Sequence, residues 1–316
     1  MRQHPQDPTS PAAAPETQPG QLWTELGSRL LRLLTQCRVR WWKRLLIGTF
    51  IRHFSIPLDE AAQPDAEAYP DFNAFFTRAL RPGARPLAAA PALLCPVDGR
   101  LVTSGQAGVE GLLAVKGQPF TWSGVCTREP GTGPAGSTSP AGFFDPTALF
   151  FNLYLAPENY HRVHLPAAGT LRRAEWIPGR FASVRPARLR RNPDLYLENE
   201  RIILEFDTHH GPLLLVLVAA RLVGGIETVW CPPRTTRRNH DPAFHLKLQS
   251  AVGRSWGRGQ EIARFNFGST VILLVPGSLW SPCDRTDRVR LGQALAWPSP
   301  VSSLTRRAHL CTPRGA

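Results

Sequence analysis

Four side chains in this sequence have types and settings that suit covalent or proton-transfer chemistry: Ser269, His161, His164 and Asp98. Ser269 stands in Gly268-Ser269-Thr270, between two apolar runs, Ile262 to Phe267 and Val271 to Val275. Both runs read as strands, because β-branched and aliphatic residues fit a pleated sheet. A glycine at the junction tolerates backbone geometry that other residues resist, and it leaves its own carbonyl uncovered. A side chain at Gly268 would crowd that carbonyl, so the hydroxyl of Ser269 lies one residue from an accessible peptide group. On its own such a triplet is a bulge or turn. His161 and His164, three residues apart, would share a face on a helix and oppose each other on a strand. Two imidazoles beside Arg162, in a segment bounded by Pro157 and Pro166, point to a site that moves protons. Asp98 falls in Pro96-Val97-Asp98-Gly99, where Asp-Gly reads as a β-turn between apolar runs.

A serine needs a base to become a nucleophile, and the base needs an acid to orient it. Ser269, His164 and Asp98 could therefore form a serine hydrolase triad acting on lipid esters. The setting argues against that reading. A hydrolase elbow runs G-x-S-x-G from strand into helix, whereas Ser269 follows glycine directly and leads through Thr270 into a strand.

The elements that must position these residues are mostly strands. Ala148 to Leu155 reads as a strand, as do Ile202 to Phe206 and Leu213 to Ala220, the last two joined at His209-His210-Gly211-Pro212 as a hairpin. Leu222 to Trp230 follows as a further strand, and Lys116-Gly117 ends another short one. Asp71 caps a short helix carrying Phe72, Phe75 and Phe76 on one face, which breaks at Pro82-Gly83. Ser123 to Pro146, rich in Gly, Pro, Ser and Thr, reads as a surface loop. The expected fold is α+β, a β-rich core of mostly antiparallel strands with short helices, preceded by an amphipathic helical membrane-associating segment.

With 316 residues, a hydrophobic fraction of 42% and a charged fraction of 19%, the chain can bury a sizeable core. Its formal net charge of +13 favours polyanions, either nucleic acid or anionic lipid. No zinc finger, aromatic RNA-binding motif or helix-turn-helix is visible, which reads against nucleic acid. The six cysteines are scattered without CxxC or a companion histidine at metal-binding spacing, so no metal site is expected. Lysine occurs only at Lys43, Lys116 and Lys247, which leaves little choice for a Schiff-base lysine of pyridoxal phosphate.

Residues 1–20 lack an apolar run and read as a disordered leader; residues 21–56 then change character. Leu26, Leu30, Leu33, Leu34, Cys37 and Trp41 recur at helical spacing, with Arg29, Arg32 and Arg38 off the stripe. Trp41-Trp42-Lys43-Arg44 and then Phe50, Ile51 and Phe54 continue the mixture of rings and cations that an interfacial membrane helix uses. Residues 57–280 form the expected catalytic domain, and 281–316 a Pro- and Arg-rich basic tail.

Three motifs in order carry a family resemblance: PVDG (Pro96 to Gly99), YHRVHLP (Tyr160 to Pro166) and FGST (Phe267 to Thr270). Together with FFTRALRPGARP (Phe75 to Pro86) and LVGGIETVW (Leu222 to Trp230), they resemble the bacterial-type phosphatidylserine decarboxylase proenzymes over Leu22 to Pro276. Phe267 stands where that family usually has Leu, a tolerated apolar swap. The resemblance implies autocatalytic serinolysis at Gly268–Ser269, giving a β chain of 1–268 and an α chain of 269–316 capped by a pyruvoyl group made from Ser269. It implies pyruvoyl-dependent decarboxylation of phosphatidylserine to phosphatidylethanolamine and CO2, with His164, oriented by Asp98, as the base for Ser269 and His161 as proton donor. It also implies a homodimer, peripheral on the cytoplasmic face of the cell membrane, where phosphatidylserine in an anionic bilayer is the substrate.

Overall fold

The computed structural model describes residues 30–31, 33–106, 112–115, 118–121, 125, 147–179, 182–189, 195–220, 225–232, 242–266, 268–284 and 287–300. The expected loop at Ser123 to Pro146 and the leader at 1–20 lie outside these, apart from Val125.

Antiparallel strands dominate. The main sheet has eight, in the order β11-β7-β8-β9-β13-β5-β2-β15, and every neighbouring pair is antiparallel. These are β2 (Gly99–Gln106), β5 (Leu149–Leu155), β7 (Gly169–Ile177), β8 (Arg201–Thr208), β9 (Gly211–Ala219), β11 (Ser255–Trp256), β13 (Ser269–Val275) and β15 (Arg288–Val289). A second sheet of three, β10 (Ile226–Thr228), β12 (Glu261–Phe265) and β6 (Arg162–His164), covers one face. A third joins β1 (Leu93–Leu94), β16 (Ala294–Pro298) and β14 (Trp280–Pro282), and β3 (Leu112–Val115) pairs with β4 (Gln118–Thr121) alone.

Strand β13 is the spine of the main sheet. It lies between β9 and β5, and all seven of its residues are buried. A strand covered on both faces needs apolar side chains in both directions, and Ser-Thr-Val-Ile-Leu-Leu-Val supplies them. Val271, Leu273 and Val275 enter the larger core with Leu153, Leu155, Val163, Leu165, Ala219 and Phe265. Ile272 and Leu274 enter the opposite core with Tyr154, Tyr196 and Val216. By the two-residue period of a strand, Ser269 therefore faces the same side as Val271, the side that the β10-β12-β6 sheet covers.

Helix α1 (Arg40–Phe54) and the short α2 (Phe72–Phe76) pack together at the edge. Asp71 caps α2 as expected, its Oδ1 accepting from Ala74 N–H at 2.8 Å. Ile47, Phe50, Ile51 and Phe54 of α1 pack on Phe72, Phe75 and Phe76 of α2, so this face of the amphipathic segment belongs to the protein interior. Its cations are also engaged: Lys43 Nζ donates to the carbonyls of Glu67 and Tyr69, and Arg44 pairs with Glu67. The apolar side chains left over are Leu30, Leu33, Leu34, Val39, Trp41 and Leu45, all exposed. No helix among the described residues is long and apolar enough to cross a membrane.

The expected boundary at residue 280 is corrected. Strands β14, β15 and β16 fold back onto β1 and β2, and Leu295 and Ala296 are fully buried. Pro and Arg in this stretch mark edge strands and turns of the domain rather than a separate tail, through residue 298.

Candidate active site

The site begins where β12 hands the chain to β13. Strand β12 pairs with β10 on one side and β6 on the other, so the residues just before Gly268 are gripped from both edges. Asn266 Nδ2 donates to Glu227 Oε1 at 2.9 Å, and Asn266 Oδ1 accepts from Asn73 Nδ2 at 3.2 Å. Arg264 is held by Glu227 in turn. Beyond the junction, Ser269 is in register with Leu155 and Ala219. The carbonyl of Gly268 accepts a hydrogen bond from Ala220 N–H at 3.1 Å.

Ser269 is completely buried, and its Oγ has no hydrogen-bond partner. A hydroxyl so placed costs on the order of 1–3 kcal/mol against one that is satisfied, and such a cost at a nucleophilic atom marks function. A Cβ built at Gly268 meets nothing within 4 Å outside its own chain neighbours, so packing leaves that position open. Gly99 is the residue that packing dictates: a Cβ there would lie 2.4 Å from the Tyr154 carbonyl oxygen, where β2 crosses close to β5. It opens β2 rather than forming the tip of a turn.

His161 and His164 flank Arg162 at β6. The His161 carbonyl accepts from Phe265 N–H at 2.9 Å, three residues before Gly268, and the His164 N–H donates to the Pro96 carbonyl at 2.9 Å. These two bonds bring the histidine segment against both the Gly268–Ser269 junction and the Asp98 loop. The His161 ring is fully buried against Phe76, with centroids 4.1 Å apart. Its Nδ1–H donates to the Asn159 carbonyl at 2.8 Å, which leaves Nε2 as a lone pair without a partner. Burial pushes the His161 pKa down to about 3, against the Asn159 bond that favours the cation, and nearby Arg78 lowers it further. The resting ring is neutral.

His164 is held by different groups. Its Nδ1–H donates to the Gly259 carbonyl at 2.8 Å, so Nε2 accepts from the Tyr160 hydroxyl at 3.0 Å. Gly259 has a φ of 77°, in the left-handed region where glycine is favoured, and this turn aims its carbonyl at the ring. Burial lowers the His164 pKa.

Asp98 does not make the expected bond to His164. Its carboxylate accepts from Arg85 Nε and Nη2, at 2.7–3.1 Å, and from Leu291 N–H at 2.8 Å. Arg85 also donates to Glu60 at 2.7 Å. Burial disfavours charge on Arg85, but its bonds to Asp98 and Glu60 outweigh that and raise its pKa. Asp98 is thus a buried anchor joining segments 193 residues apart, and Gly259 and Tyr160 orient His164 in its place.

Sequence reasoning assigned no role to Tyr160, Arg85, Gly259 or Ala220. Arg78 and Arg85 lay inside the FFTRALRPGARP motif, and a charged residue between Thr77 and Ala79 in an apolar run was the available signal.

Comparison with known proteins identifies the family. The phosphatidylserine decarboxylase family matches residues 72–296, a span that contains every site residue named above except Glu60. A phosphatidylserine decarboxylase proenzyme of Xanthomonas campestris is 42% identical over 273 residues, covering 85% of this chain and 93% of its own. One from Pseudomonas putida is 38% identical over 276 residues, covering 86% and 93%. The chain belongs to the phosphatidylserine decarboxylase family and is an enzyme of that decarboxylase class.

Proposed function

We propose that the chain cuts itself between Gly268 and Ser269, and that the product decarboxylates phosphatidylserine to phosphatidylethanolamine and CO2. The observation that carries this reading is the buried, unpartnered Ser269 hydroxyl beside a peptide carbonyl already polarised by Ala220 N–H. Ser269 Oγ attacks the Gly268 carbon, the C–N bond breaks and an ester forms. The Ala220 N–H supports the oxyanion during attack. Loss of the Ser269 Cα proton expels the Gly268 carboxylate, and water releases the nitrogen as ammonia, leaving a pyruvoyl group at residue 269. The residues present fit that group, since the same fully buried position offers the orphan Oγ as its source. Once formed, it supplies a ketone for the substrate amine and an electron sink for the carbon that loses CO2.

His164 is the proposed base for Ser269. Its Nδ1–H is fixed on Gly259, so Nε2 is the accepting atom once the Tyr160 hydroxyl turns aside. His161 is the proposed proton carrier in turnover. Being neutral, Nε2 first takes the proton that the substrate ammonium gives up, then returns it to the carbon after CO2 departs. The α chain stays in place after cleavage because β13 remains paired along its length with β5 and β9. We also propose a homodimer, peripheral on the cytoplasmic face of the cell membrane, contacting anionic lipid through the exposed apolar residues before and on α1.

Intact-mass measurement after native expression tests the class. Two fragments, 1–268 and a pyruvoyl-blocked 269–316, are expected. A single uncut chain whose Ser269 reacts with a fluorophosphonate would overturn the reading in favour of a serine hydrolase.

A further inference from the structure

Arg78 lies two residues past the end of α2 and is a buried charged residue with no role in the proposed chemistry. It is only 4% exposed, yet its Nε and Nη1 have no hydrogen-bond partner. The guanidinium lies over the Phe75 ring, 5.3 Å from its centroid. That contact is worth about 0.5–2 kcal/mol, less than the cost of burying a cation whose donors are unmet. The groups in its field are Tyr69, Asp98, Glu60 and Tyr160, and its charge also reaches His161. Both carboxylates among these are taken by Arg85. The neighbouring Arg162 has its own partners in the Thr77 carbonyl and Glu261. Arg78 therefore sits in the field of two carboxylates whose hydrogen bonds go to Arg85, and two of its own donors stay unmet.

Its position says which anion would meet those donors. Helix α2 carries Phe76 against His161 and Phe75 beneath Arg78, so one short helix brings a proton carrier and a guanidinium to the same neighbourhood. The same two rings, with Phe72, pack on Phe50 of α1. A substrate whose reacting end lies at His161 and Ser269 would offer a connecting anionic group to Arg78. We propose that Arg78 binds the phosphodiester of the substrate headgroup, an inference that rests on the decarboxylase reading above. The carboxylate is the poorer candidate. Its charge leaves during reaction, so a guanidinium bound to it would stabilise the ground state more than the transition state. The phosphodiester keeps its charge throughout and serves as an anchor. An anion there also cancels the positive charge that opposes protonation of His161.

The test uses processed full-length protein with phosphatidylserine in detergent micelles, comparing wild type with Arg78→Lys and Arg78→Gln. Self-cleavage is read first by intact mass, because it involves no phosphodiester. If wild type does not cleave, the decarboxylase reading has failed rather than this one. In cleaved chains KM is expected to rise about ten- to a hundredfold for Gln, and less for Lys, while kcat changes less. If Gln fails to cleave, Lys alone decides, since it keeps the charge and most of the volume. Competitive inhibition separates the anions. Glycerophosphoethanolamine has the phosphodiester but no carboxylate, and its inhibition is expected to weaken by about tenfold or more in the variants, with inorganic phosphate inert throughout. Unchanged KM and inhibition overturn the proposal and leave Arg78 a structural cation. A fall in kcat at constant KM overturns it too, as does inhibition by inorganic phosphate alone.

Discussion

The junction at Gly268–Ser269 and the helical edge formed by α1 and α2 solve opposite problems. The junction sits at the head of a strand with every residue buried and both neighbours in register. The strand holds its residues in place on both sides, and the Ser269 hydroxyl at its head has no partner. The helical edge has a buried phenylalanine cluster on one side and exposed Trp41, Leu45, Leu33 and Leu30 on the other. The proposed single-use chemistry on the protein's own backbone would gain from rigidity, because the attacking and attacked atoms are already neighbours. Capture of a substrate from outside needs an open apolar surface instead. Among the described residues α2 joins the two regions, carrying Phe76 to His161 and Asn73 to Asn266.

The sharpest way to break the junction is to remove its hydroxyl. Ser269→Ala should abolish cleavage, leaving one chain of 34.9 kDa by mass spectrometry, while the sheet stays folded because alanine fits a fully buried site. The uncut variant also provides a single chain in which stability can be measured as a two-state quantity.

In that background, Asp98→Ala should cost about 3–5 kcal/mol in urea unfolding, since it leaves the buried Arg85 guanidinium short of a partner. If Asp98 acted only as a catalytic acid beside His164, stability would scarcely change and cleavage alone would slow.

The next prediction concerns pH. His161 has a folded pKa of about 3 against an ordinary value of 6.5. Between those limits the unfolded chain binds a proton that the folded chain refuses. Its contribution is therefore intact above pH 6.5 and is lost as pH falls toward 3. In the Ser269→Ala background, His161→Gln should flatten this acid limb by on the order of 3 kcal/mol between pH 7 and pH 4. Equal slopes with and without His161 would show that the ring is hydrated rather than dry.

Much of the junction was legible in the sequence and little of what surrounds it. The flanking runs read correctly as strands because β13 is buried on both faces and needs continuous apolar residues. The hairpin of β8 and β9 was equally plain from its turn residues. Asp98 was misread in its partner, because Arg85 and Leu291 reach it from 13 and 193 residues away, and no local pattern encodes such a pairing. Helix α1 was misread in part for the same reason. Its apolar residues look like one membrane stripe, but Phe50 and Phe54 find their partners on α2. Strands β14 and β15 were hidden because two- and three-residue edge strands carry no periodicity.

The helical edge offers the mildest test of the contrast. Trp41 is 67% exposed and Leu45 51% exposed, on the side of α1 away from the phenylalanine cluster. Inserting such side chains into a bilayer interface is worth about 1.5–3 kcal/mol each when fully buried, and their present burial reduces the gain. Trp41→Ala with Leu45→Ala should weaken binding to anionic phosphatidylserine vesicles by about tenfold in a flotation assay. Cleavage at Ser269 should be unaffected, because neither residue touches α2 through its exposed face and the junction is assembled by β6, β10 and β12. Loss of cleavage in the double variant would show that the helical edge and the junction are one cooperative unit. Unchanged vesicle binding would transfer membrane contact to the exposed leucines at 30 and 33.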